Sequence, residues 1–493
     1  MESFLVAIDN GSQSTKVLVV DQDGRVHASA RVGLRPYDTS VPGRAVHPDD
    51  DVWESIATAC ATALGRFSGD RSRIVGVGLC TIRFCRAYLH EDGTLAEPLL
   101  SWMDERVGLP FDANAVGSRD VRWITSSSGY VSHRLTGERR DASGNLQGVW
   151  PIDPERWRWS DDPEAYRATG MPREMLFDLR DPGEELGRVT PGASALTGLP
   201  EGIPVFATSN DKAVEALGAG AGGEDTVLLS LGTYIAAMTA GPGPEHGAAF
   251  WANFAARPAM HLAESHGVRR GMWTVSWLRR LVQPEGSADE TMYDLEALLD
   301  AEAAAVPPGS DGVAAVLDWL APADEPWRRG ALVGFSGPQG RAHVYRAILE
   351  AIALTMADHV DAMTTELGRT PTALIVTGGG AQSATMRRIL ADVFALPVHR
   401  AGIDDAAGLG AAVCAAVGAG VHPDWESAIA AMVRLGDTTR QGEDVAEYRR
   451  LREWHRGIRA RVAELSRWAV EHGPDPLRSS DPPVAKDAVL GDS

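Results

Sequence analysis

The chain has 493 residues, 44% of them hydrophobic, and a net charge of −20. The length exceeds what one compact core supports and predicts two domains. The charge, with no basic patch to offset it, excludes nucleic acid and anionic membrane surfaces as expected partners. No run of eighteen apolar residues occurs and strand-like sequence begins near Met1, so neither a membrane span nor a signal peptide is expected and the protein is read as cytoplasmic.

The first predicted element is FLVAIDNGSQSTKVLVVD from Phe4, two apolar runs around the polar island DNGSQSTK. This reads as a β-hairpin, with Asn10-Gly11 as a two-residue turn signal. A plain turn needs neither the hydroxyls of Ser12, Ser14 and Thr15 nor Lys16. Hydroxyls and free N–H groups in a tight turn bind phosphate oxygens, a lysine adds a point charge, and Asp9 at the strand end can hold Mg²⁺ through water. Lysine is scarce: of 47 basic residues only Lys16, Lys212 and Lys486 are lysine. Lys486 lies in a Pro/Ser/Asp-rich tail that composition reads as disordered. The other two sit in polar islands, where a compact ammonium rather than a planar guanidinium is called for.

A helix is expected over 52–67 after the acidic cap signal at 49–51. The tryptophan-rich stretch over 148–166 reads as an insertion over a cleft or at a subunit contact. In PVFATSNDKAVEALGAG, Ser209, Asn210 or Asp211 can cap the helix that follows. The glycine-rich stretch at 216–225 is a candidate hinge. The segment DTVLLSLGTYIAAMTAG from Asp225 repeats the hairpin design, with Gly232 and Thr233 in its turn. A helix over 344–367 carries the apolar stripe Ile348, Ile352, Met356, Val360, Met363 and Leu367. ALIVTGGGAQSATMRRILADVF from Ala373 predicts a strand, a glycine turn and a helix burying Met386, Ile389, Leu390 and Val393, an arrangement suited to an anion or nucleotide. The small residues of GLGAAVCAAVGAG, from Gly408, predict close packing on another backbone. Cys60, Cys80, Cys85 and Cys414 show no metal or disulfide spacing and are expected to be free and buried. Alternating strands and helices favour an α/β fold with mixed sheets, and one hairpin island in each half favours two related domains.

Taken in order, the D-x-G-S-x-S-x-K island, Trp102-x-Asp104, Asp211 before ALGAG, the S-x-G-T turn and GGGA-x-S resemble the FGGY family of carbohydrate kinases over about residues 3–420. The resemblance implies two actin-like (ribonuclease-H-like) domains facing a central cleft, over 1–222 and 223–470, with 471–493 as the tail. It implies ATP and Mg²⁺, with Asp9 toward the metal and Gly11, Ser12, Ser14, Thr15 and Lys16 in the first phosphate motif. Gly232 and Thr233 form the second motif, while Gly379, Gly380 and Ser383 lie by the adenosine. Asp211 is the implied general base as well as a helix cap. On the acceptor side Arg83 and Arg86 are either substrate contacts or solvated strand ends, Trp102 either stacks on sugar or is core, Asp104 accepts hydroxyls, and Lys212 meets a hydroxyl or carboxylate. Phe84 stands where glycerol kinases have glutamate. The implied substrate is a small ketose or polyol, foremost a ketopentose such as xylulose or ribulose, and a homodimer stays open. An actin-like or chaperone-like assembly ATPase and a non-catalytic sugar sensor are the alternatives.

Overall fold

The computed structural model describes residues 3–112, 114, 120–244, 246–283, 291–322 and 324–473. In the first of two mixed sheets, β1 (Phe4–Asn10), β2 (Ser14–Asp21) and β3 (Val26–Gly33) run antiparallel. β4 (Ile74–Thr81) lies parallel to β1, and β5 (Glu185–Arg188) edges β6 (Pro204–Ala207), which is parallel to β4. In the second, β7 (Thr226–Leu231), β8 (Ile235–Pro242), β9 (Phe250–Phe254) and β10 (Met260–Ser265) make antiparallel pairs in the order β9-β10-β8-β7. β11 (Ala373–Thr377) is parallel to β7, β12 (Val398–Ala401) is parallel to β11, and β13 (Leu435–Thr439) is the edge. The two sheets share one plan, an antiparallel hairpin extended by further antiparallel strands, whose first strand carries parallel neighbours on its other side. This is the duplication expected from the two hairpin islands, in the actin-like form that the family resemblance implies. β1 is buried along its whole length, as its unbroken apolar run requires.

Helix α1 (Asp51–Arg66) covers the first sheet with Val52, Ile56, Ala59, Cys60, Ala63 and Leu64. Its N-cap Asp50 makes no side-chain cap bond and instead accepts from Tyr130 and Arg134. The other helices that bear on the site are α2 (Asp211–Ala219), α3 (Gly271–Val282), α4 (Arg341–Glu366), α5 (Ala384–Phe394) and α6 (Ala406–Gly418). α4 starts a turn earlier than its apolar stripe indicates. All four cysteines are free and buried, and no helix among the described residues is long and apolar enough to cross a membrane. The expected tail lies, from residue 474, outside the described residues.

The close packing read from the small residues of α6 is present. A Cβ on Gly410 would stand 2.0 Å from the Val214 carbonyl oxygen of α2, and one on Gly218 would stand 1.9 Å from that of Ala406. α6 also packs on β1 and β4, so a helix from the second half of the sequence seals the first sheet. The first residues of the candidate hinge at 216–225 are helical instead. Ala216, Leu217, Gly218 and Ala219 are the buried last turns of α2, and the left-handed residue Gly220 ends the helix.

The tryptophan-rich stretch clamps the two halves together. Trp157 stacks on Phe254 of β9 with ring centres 4.5 Å apart, and the Pro154 carbonyl lies 3.0 Å from Nε2 of His261 on β10. Trp150 is buried in an apolar cluster with Phe84, Tyr88 and Leu146.

Candidate active site

The two hairpin turns open onto one cavity of about 510 Å³, which Asp9, Lys16, Arg83, Asp211, Gly232 and Thr233 all line. Both turns are three-residue loops, Gly11-Ser12-Gln13 and Gly232-Thr233-Tyr234. The two-residue turn expected at Asn10-Gly11 is therefore corrected. Asn10 stays in β1, where its buried amide donates to Thr15 Oγ1 at 2.8 Å, and Gly11 N donates to Ser14 O at 3.1 Å to close the loop.

Strand alternation sorts the hydroxyls of the first island. Ser12, Ser14 and Lys16 line the cavity. Thr15 points the other way, fully buried and 2.6 Å from Ser55 Oγ on α1. It is a packing residue of the turn, not part of the cavity wall. Lys16 Nζ lies 3.3 Å from Asp9 Oδ2 and 3.4 Å from Asp405 Oδ1. Burial pulls the lysine down, but Asp9 and Asp405 outweigh it and hold it above its ordinary range. Burial first, then Asp405, push Asp9 up to about 7 against the opposing pull of Lys16.

Asp211 is the first residue of α2, while Asn210 serves as the cap by accepting from Ala213 N at 3.1 Å. Asp211 is thus relieved of capping, and its buried Oδ1 accepts no hydrogen bond although Arg83 Nε stands 4.0 Å away. Arg83 is no solvated strand end. It is buried and forks onto Glu264 of β10 at 2.8 and 3.1 Å, with its guanidinium 4.4 Å from the centre of the Trp251 ring. Arg86 is likewise corrected: it is buried and donates to the carbonyls of Arg106, Val107 and Leu109, pinning that loop. Phe84 lines the cavity with φ = 62°, a conformation that costs a bulky residue roughly 1–3 kcal/mol and tends to persist where function requires it.

Trp102 lines the cavity and also packs against the core. Asp104 does not line the cavity. It is fully buried, and Ala45 N and the backbone and guanidinium of Arg106 take up its carboxylate, which leaves it no lone pair directed at a ligand. Lys212 lines the cavity, but its ammonium goes to Glu215 and Ser230. At the third island Gly378 lines the cavity. Gly379 follows in an exposed turn, and Gly380 packs so closely that a Cβ would meet Met272 Sδ at 2.8 Å. Ser383 caps α5 by accepting from Met386 N and donates to Asp300. Gly380 and Ser383 thus build the turn beside the cavity.

Residues 4–109 match the N-terminal domain of the FGGY family of carbohydrate kinases, and residues 227–419 match its C-terminal domain. The chain belongs to the FGGY family. An uncharacterized sugar kinase, YgcE, of Escherichia coli (strain K12) is 44% identical over 88% of this chain and 89% of its own length. A glycerol kinase of Methylobacterium nodulans is 27% identical over 86% of this chain and 91% of its own. The crystal structure of a xylulose kinase from Rhodospirillum rubrum superposes with a TM-score of 0.81 over 95% of this chain and all of that one, at 24% identity. The protein is a sugar kinase of the FGGY family, a phosphotransferase, and the assembly-ATPase and sensor readings fall away.

Asp405, Glu215 and Glu264 escaped the sequence reading. Asp405 caps α6 by accepting from Gly408 N, a signal present in IDDAAGLG. Glu215 lies one turn along α2 from Asp211, where a helical wheel finds it. Glu264 is a single acid in a strand, and nothing local marks it.

Proposed function

We propose that this FGGY kinase transfers the γ-phosphoryl group of ATP to a hydroxyl of a small ketose or polyol, foremost a ketopentose such as xylulose or ribulose. The observation that carries this reading is the Asp211 oxygen, buried on the cavity wall without a hydrogen-bond donor. A substrate hydroxyl supplies that donor. Asp211 orients the hydroxyl and takes its proton as the new O–P bond forms, a late transfer that an ordinary carboxylate performs. Arg83, locked on Glu264, holds the acceptor side in shape. The N–H groups and hydroxyls of the two turns grip phosphate oxygens, and Lys16 supplies positive charge beside them.

Among the described residues no three His, Cys, Asp or Glu side chains converge as a metal site. That suits Mg²⁺, which binds through one or two carboxylates and keeps water and phosphate oxygens as its other ligands. Asp9, crowded by Asp405 and countered only by Lys16, has the chemistry to hold it. When bound, the ion neutralises charge on the phosphate oxygens.

The test is coupled ADP release across neutral ketoses, polyols and sugar acids. Ketopentoses should stimulate release strongly over the acceptor-free rate, and stimulation by no sugar would defeat the reading. Asp9 adds a pH signature. Its value of about 7 in the fold lies above the ordinary 3.8, so its protonated form stabilises the apo protein at low pH. That contribution fades as pH rises through about 7. Below that point the cation must displace a proton, so the half-saturating Mg²⁺ concentration should rise by up to about tenfold per pH unit. Mg²⁺ titrations of turnover check this, and a flat profile would remove Asp9 as the metal-side carboxylate.

A further inference from the structure

We propose that Lys212 is a second phosphoryl-binding cation, donating to the transferred group from the side of the second sheet while Lys16 acts from the first. This rests on the kinase reading above. Lys212 Nζ donates to Glu215 Oε2 at 2.8 Å and lies 2.9 Å from Ser230 Oγ. Ser230 Oγ in turn donates to Glu215 Oε1 at 2.8 Å, and Thr377 Oγ1 donates to the same oxygen at 2.7 Å. An ammonium has three donors. Two are spent here, the hydroxyl protons of Ser230 and Thr377 are committed to Glu215, and the third lysine N–H is the donor the cluster leaves over.

The cluster stands where a phosphate is expected. Ser230 and Thr377 are register partners at the carboxyl ends of the parallel strands β7 and β11, the end of an α/β sheet where ligands bind. Each directly precedes a turn on the cavity: Ser230 comes just before Leu231 and Gly232, and Thr377 just before Gly378. Lys212 follows Asp211 by one residue, which turns it about 100° around the helix axis from the base. Asp211 therefore serves the acceptor while Lys212 reaches to the phosphate turn. Composition agrees: two of the chain's three lysines line this one cavity, one tied to each phosphate turn, in a protein that otherwise uses arginine. Burial lowers the Lys212 ammonium, but Glu215 and then Asp211 outweigh it and keep it charged.

In the transfer, the acceptor oxygen bonds to the γ-phosphorus and its proton passes to Asp211. The bond from that phosphorus to the bridging oxygen breaks, and its electron pair stays on ADP. Charge spreads over the three peripheral oxygens, and the third Lys212 N–H donates to one of them.

The test uses the full chain with an acceptor that stimulates wild-type ADP release. Lys212→Ala should lower kcat about 100-fold, the typical effect of losing one such donor, while the acceptor KM stays within about threefold. Ethylammonium should restore part of the rate in Lys212→Ala and none in Asp211→Asn. Lys212→Arg should stay impaired, because a planar fork does not replace a compact ammonium in this pocket. Wild-type kcat in Lys212→Ala would overturn the proposal. So would a loss carried by the acceptor KM, which would make Lys212 a sugar ligand, or a loss with a lowered Tm and no amine rescue, which would make it only a strap between α2 and β7. Failure of the wild type to respond to any acceptor is a separate result that defeats the kinase chemistry itself.

Discussion

Replacing Asp211 by asparagine should lower phosphoryl transfer by about two to four decades and leave nucleotide affinity nearly unchanged. The substitution is nearly isosteric. Asn210 still caps α2 through Ala213 N, and Lys212, Glu215 and Ser230 keep their contacts because none of them touches Asp211 by a hydrogen bond. What disappears is the proton acceptor and the charge that faces Arg83 at 4.0 Å. The two hairpin turns that line the cavity are untouched. Single-turnover rates paired with ADP binding separate the two effects. Wild-type-like turnover in the purified variant would take Asp211 out of the mechanism, and a matching loss of ADP affinity would make it structural.

How far the site was legible follows from the range of the interactions that build it. The islands at Asp9 and Ser230 could be read because a hairpin turn flanked by apolar runs is a local pattern, and their polar side chains interrupt it. Within the first island the composition alone could not sort Thr15 from Ser14 and Lys16. Strand alternation does so, since neighbouring residues face opposite sides of β2. The fates of Arg83 and Arg86 were hidden for the converse reason: they depend on carboxylate and carbonyl partners that the strand itself does not carry. Arg83 finds Glu264, 181 residues away, and Lys16 finds Asp405, 389 residues away. Such pairs exist only once both sheets have formed. Asp104 shows the opposite limit: a motif placed it at the acceptor, yet Arg106, two residues on, claims its carboxylate.

Gly218→Ala is expected to damage both stability and turnover, because it acts where the two halves are joined. Its methyl group would lie 1.9 Å from the Ala406 carbonyl oxygen and within 2.5 Å of Gly410 N, so helix backbones rather than flexible side chains must move. Overpacking of this kind costs about 1–3 kcal/mol, and α6 cannot retreat freely because its other face lies on β1 and β4. The displacement therefore falls on α2, which carries Asp211 and Lys212 at its first turn. Misplacing a catalytic group by about 1 Å can cost roughly 100-fold in rate, so kcat should fall further than the drop in Tm alone would explain at the assay temperature. If the halves close when both substrates bind, this crossing is where they are expected to pivot, although Val214 and Leu217 of α2 share a buried apolar cluster there with Leu409 and Val413 of α6. Small-angle scattering with acceptor and a non-hydrolysable ATP analogue should show contraction in the wild type and less in Gly218→Ala. Equal contraction with wild-type kcat would place the pivot elsewhere, at the clamp that Trp157 makes with Phe254.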